Sequence, residues 1–104
     1  KMKRHKIIHT LVKTETNFNN MSKEIHTFEK QAGFEKTSSK QLVKWLKEEI
    51  KNYEEAKSKI IKQNKLMDIL CLTIQISRRE NMNLDRAWMR WWWKARKYLK
   101  EKRG

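Results

Sequence analysis

Glu48 and Glu49, with Asn52 three residues after Glu49, and Asp68, with Lys65 three residues before it, are the positions whose types and spacing point to chemistry. Residues three apart on a helix share a face. Both groups interrupt runs that are otherwise apolar. Charge inside an apolar face costs several kcal/mol unless it is paired or holds a metal. Two facing helices decorated in this way enclose a four-cornered polar site. With carboxylates at all four corners, such a site would take a hard divalent cation such as Mg²⁺ through oxygen. A metal held there can orient a polyphosphate and activate a water for attack on phosphorus.

The stretches carrying these residues read as helices. From Lys40 to Lys59, Leu42, Trp45, Leu46, Glu49, Tyr53, Ala56 and Ile60 line one stripe, and Ser38 with Gln41 forms a capping box at its start. From Asn64 to Arg79 the chain is apolar nearly all round, which predicts a central helix with Asp68 buried and in need of a partner. Arg78, Arg79 and Glu80 close that helix, and Asn81 to Asn83 make the next turn. Upstream, Ile7, Ile8, Leu11, Phe18, Met21, Ile25 and Phe28 predict a helix over Lys3 to Gln31, bent near Asn17 to Asn20 and stopped by Gly33. Downstream, a helix runs from Asn83 or Leu84 to Lys102. Trp88, Trp92, Ala95 and Leu99 are its expected core stripe, with Trp91 and Tyr98 at the border. Met89 and Trp93 fall on a different face and are expected to mark a subunit interface. The expectation is therefore an all-α domain over residues 1–104, with a basic N-terminal extension over residues 1–20. Its second and third helices would form a central antiparallel hairpin.

Composition agrees with long helices and few turns: no Pro and two Gly in 104 residues. Four residues, Ile69 to Leu72, make the longest apolar run, too short for a membrane span. No secretory signal is visible, and the single Cys71 reads as core filler, so a cytoplasmic protein without a membrane partner is expected. His5, His9 and His26 lack a third ligand and read as exposed histidines. The formal charge is +14, concentrated at the end, where Arg86 to Gly104 holds eight Lys or Arg against Glu101 alone. Such a field attracts nucleotides, nucleic acid, acidic proteins or anionic membranes, and it also serves simply as a solvated face.

From about Met21 to Tyr98 the chain resembles the MazG-like all-α nucleoside triphosphate pyrophosphohydrolases, relatives of the all-α dUTPases. The likeness rests on Lys23-Glu24-Ile25-His26 leading to Gly33-Phe34, on Leu46-Lys47-Glu48-Glu49-Ile50 and Glu54-Glu55-Ala56, and on Leu66-Met67-Asp68-Ile69-Leu70. It continues through Asn83-Leu84-Asp85-Arg86-Ala87 and the basic segment Lys94 to Tyr98. The family's metal motif is Glu-Glu-x-x-Glu, a spacer, then Glu-x-x-Asp. Here it reads Glu48-Glu49-Ile50-Lys51-Asn52, twelve residues, then Lys65-Leu66-Met67-Asp68. The resemblance implies a four-helix domain that dimerises into a larger bundle. It places Glu48, Glu49 and Asp68 at catalytic positions, Glu49 and Asp68 at metal positions, and Arg90, Lys94, Lys97 and Tyr98 at phosphate- or anion-binding positions.

Asn52 and Lys65 stand where the family has carboxylates. An ammonium at Lys65 would repel a divalent cation ~4–6 Å away by on the order of several kcal/mol at an effective dielectric near 20. It can instead pair with Glu49 and Asp68. The expectation that follows is a non-catalytic or weakly active module that binds a nucleotide or another anionic partner and forms a homodimer. An active Mg²⁺-dependent hydrolase releasing a nucleoside monophosphate and pyrophosphate is the alternative, and a basic nucleic-acid-binding protein is the second.

Overall fold

The computed structural model describes residues 16–103. They form four helices and, among the described residues, no strand: α1 Phe18–Ala32, α2 Ser39–Glu55, α3 Lys59–Arg79 and α4 Leu84–Arg103. The all-helical architecture is the one the sequence predicts.

The first helix begins later than its apolar stripe suggests. Asn17 is extended (φ −142, ψ 169) and its side chain accepts the Asn20 N–H at 2.8 Å, so it caps α1 where a bend was expected. The rest of the expected helix, Lys3 to Glu15, lies outside the described residues. Asp85, at the start of α4, accepts the N–H groups of Phe18 and Asn19 at 3.0 Å each. These are donors that a helix start leaves unpaired, and the carboxylate also meets the positive end of the helix dipole. Gly33 ends α1 in the left-handed region (φ 81), and the Phe34 N–H reaches back to the Glu29 carbonyl at 2.8 Å.

The boundary between α2 and α3 differs from expectation. α2 stops at Glu55 rather than Lys59, and α3 starts at Lys59 rather than Asn64. Ala56 leaves the helical region (ψ 139), and Ser58 caps α3 by accepting the Ile61 N–H at 3.2 Å. Neither Gly nor Pro marks this turn; a serine hydroxyl competing for backbone N–H groups makes it. At the other end of α3, Asn81 takes a positive φ of 54 and the Met82 N–H bonds the Ser77 carbonyl at 2.8 Å.

α3 is the central helix: it packs along α2 over most of its length and also against α1. Leu42 from α2 and Ile74 from α3 are the fully buried apolar side chains among the described residues. Burial of α3 on all sides does not follow, because Leu66 and Met67 are exposed. α4 meets the body mainly at the start of α1, through Asp85 and an edge-on contact of Trp88 with Phe18 at 6.4 Å. Its predicted core stripe is thus corrected: Trp88, Trp92 and Leu99 are about half exposed, since α4 touches the rest of the described chain mainly at the start of α1. Trp88, Trp91 and Trp92 instead pack on one another at 5.2–5.7 Å between ring centres. The radius of gyration is 16.8 Å, against about 13 Å for a compact chain of this length. No helix among the described residues is long and apolar enough to cross a membrane.

Candidate functional site

α2 and α3 bring Glu49, Asn52, Lys65 and Asp68 together. The Lys65 ammonium lies 3.2 Å from Glu49 Oε2 and 3.8 Å from Asp68 Oδ2. Asn52 Nδ2 donates to Glu49 Oε1 at 2.9 Å. Each of the four corners is therefore engaged, and the two groups that depart from an all-acid pattern are the ones that bond Glu49. Burial works against the ionised form of Glu49, but the Asn52 hydrogen bond, the Lys65 ammonium and the neighbouring Asp68 outweigh it and hold its pKa below the usual value. Asp68 moves the other way: burial and the Glu49 carboxylate raise its pKa more than Lys65 lowers it.

Two expectations need correction. Asp68 is not buried; its side chain is 55% exposed, because the face of α3 that carries it is only partly covered. Glu48 is exposed on α2 and makes no hydrogen bond or ion pair among the described residues, so it stands outside the cluster.

Beside the ion pair runs an open cleft of about 590 Å³ between α1, α2 and α3. Its walls are apolar, with Ile25, Phe28, Trp45 and Leu72, and acid enters through Glu24, Glu49 and Asp68. Cys71 also faces this cleft, and burial, then the nearby Asp68 charge, push its thiol pKa up. A thiol so disposed stays protonated and is a poor nucleophile. The donor set does not fit a hard divalent cation: of four corner positions, two are carboxylates, one is a neutral amide and one is an ammonium.

A second polar centre was not anticipated from sequence. Glu29 of α1 is fully buried and receives a two-pronged contact from Arg79 of α3, at 3.1 Å and 2.6 Å. Gln75 Nε2 donates to the same carboxylate at 2.8 Å, and His26 Nδ1 lies 3.5 Å away. Arg79 also donates to the carbonyls of Thr37 and Phe34, both at 2.8 Å, tying the connection between α1 and α2 to the end of α3. Burial opposes the Glu29 charge, but Arg79, Gln75 and His26 overcome it and lower the pKa. The signal was present: Glu29 lies four residues after Ile25 and eight after Met21, on the stripe, whereas Phe28 beside it is exposed.

The expected anion-binding residues Arg90, Lys94, Lys97 and Tyr98 are exposed on α4, and none bonds to the Lys65 cluster. Tyr98 carries the Lys102 ammonium 5.6 Å from its ring centre. Met89 and Trp93 are exposed on the same helix. Compared with known protein families, curated proteins and solved structures, the chain matches none.

Proposed function

We propose that this protein is a MazG-like helical module, with α2 and α3 as its central hairpin, that binds an anionic partner and has little or no nucleotide-hydrolysing activity of its own. One observation carries the reading: the Lys65 ammonium bridges Glu49 and Asp68, in the place and charge role of a divalent cation. A buried or half-buried carboxylate pair needs positive charge nearby, and a lysine supplies it without the coordination sphere that activates water. Fold likeness alone does not carry activity, and the chemistry of the site governs. The anionic partner follows from the charge of +14 and from the exposed cations of α4.

The test has two arms. The natural protein, given a panel of nucleoside triphosphates with Mg²⁺ or Mn²⁺, should release no pyrophosphate above background and show no tight Mg²⁺ binding by calorimetry. The double variant Asn52→Glu, Lys65→Glu restores four carboxylates and should gain Mg²⁺ binding. Robust pyrophosphate release by the natural chain would overturn the reading in favour of the Mg²⁺-dependent hydrolase.

A further inference from the structure

We propose that one face of α4 is a binding site for single-stranded nucleic acid, with Trp93 stacking on a base and Arg86, Arg90, Arg96, Lys97 and Lys100 holding phosphates. This names the anionic partner of the reading above and rests on it only for the sign of the partner's charge.

At 3.6 residues per turn, these six residues fall within one face of the helix and span about 21 Å along it. All six are exposed. None of the five cations is in an ion pair with a described residue. Asp85, at the edge of this face in the first turn of α4, is engaged by the N–H groups at the start of α1. The tryptophans of α4 divide into two sets. Trp88, Trp91 and Trp92 satisfy one another and Phe18, whereas Trp93 has no ring partner among the described residues and is 74% exposed. A shallow hollow of about 400 Å³ lies against Trp93, bounded by Lys94, Arg96, Lys97 and Lys100. An indole face open to solvent with cations on either side is the arrangement that stacks a base and grips the phosphates flanking it.

Other occupants fit this face less well. A second copy packed about a two-fold axis would set the cationic stripe against itself, and like charge across an interface is strongly unfavourable. A duplex keeps its bases stacked and offers Trp93 no free π-face. A membrane surface would take the opposite face, where Trp88, Trp91, Trp92 and Leu99 lie about half exposed, and would leave Trp93 and the cationic stripe turned away from it.

Anisotropy of the full chain with a labelled single strand about 20 nucleotides long tests this, with a duplex of equal length as comparison. Five phosphate contacts predict a log–log salt slope of about −3.5. Trp93→Ala should weaken single-strand binding about 5- to 100-fold with the slope unchanged, and Trp93→Phe should keep most of it. The double variant Arg90→Gln, Lys97→Gln should flatten the slope by about 1.4. All three positions are exposed, and circular dichroism verifies that the variants fold. Duplex binding as tight as single-strand binding, or an unaffected Trp93→Ala variant, would overturn the proposal. If the single strand fails to bind while nucleoside triphosphates, polyglutamate or anionic vesicles bind, this inference falls and the anionic-partner reading stands. If none of them binds, both fall.

Discussion

Lys65 and Glu29 show how differently two charged side chains can act in one small helical body. Lys65 reaches across from α3 to α2 and joins two partly exposed carboxylates, a setting in which an ion pair contributes no more than about 1 kcal/mol. Its effect is chemical more than energetic. Lys65→Gln removes an influence that lowers the pKa of both Glu49 and Asp68, so both titration midpoints should rise, as read by carboxyl ¹³C resonances. An unchanged Glu49 midpoint would mean that the ammonium is not beside it in solution. Glu29 is fully buried, and removing one partner of a buried pair strands the other. Glu29→Gln should cost about 3 kcal/mol or more by urea unfolding. The pH dependence has a definite sign. The folded pKa of Glu29 lies below the ordinary value near 4.5, so its stabilisation is fully present above that pH and is lost as pH falls through the folded value. Acid unfolding below about pH 4.5 should therefore be steeper in the natural protein than in Glu29→Gln. Asp68, with a raised pKa, works in the opposite sense and destabilises slightly once ionised.

At the scale of elements, side-chain caps set all four helix starts, Ser38 opening α2 by accepting the Gln41 N–H at 3.2 Å. Asn17, Ser58 and Asn83 each accept a backbone N–H three residues on. Ser58→Ala should cost about 1 kcal/mol and let the turn between α2 and α3 fray, seen as faster amide exchange at Ile61. Asp85 has a longer reach, because its carboxylate joins the start of α4 to that of α1. Asp85→Ala should loosen α4 selectively, so that Trp88 fluorescence and α4 amide protection fall while α2 and α3 keep theirs. Equal loss across all helices would show that α4 belongs to the same cooperative unit as the rest. Gly33→Ala should destabilise by roughly 1 kcal/mol through its positive φ alone, since an added Cβ meets nothing within 4 Å.

At the scale of the molecule, the outstanding property is how little the described chain buries. Leu42 and Ile74 are its fully buried apolar residues, while Trp88, Trp91, Trp92 and Leu99 remain about half exposed on one face of α4. Exposed apolar area of this kind favours association. We expect a homodimer by light scattering at tens of micromolar, and a protein that stays monomeric with a high unfolding midpoint would contradict that expectation. The all-helical class was legible because apolar residues recur at helical spacing and Pro is absent. The Lys65 pairing was legible because i, i+3 spacing and facing helices leave a lysine few other neighbours. The turn at Ala56 to Ser58 was not, because a single serine carries it among good helix formers.

The sequence by itself determined the helices, the Gly33 stop, the basic character of α4 and the spacing that sets Asn52 and Lys65 three residues from Glu49 and Asp68. Those are local properties: periodicity, backbone preference and charge are read within a few turns. Tertiary structure alone decided which charges are buried. Glu29 lies inside and Asp68 at the surface because Arg79 arrives from a distant helix to neutralise the first, while the face of α3 that carries the second is only partly covered. It also decided how far the tryptophans are covered. Helical spacing already sets Trp93 apart from Trp88, Trp91 and Trp92, but α4 meets the rest of the described chain mainly at the start of α1, so the face meant for the core stays about half exposed.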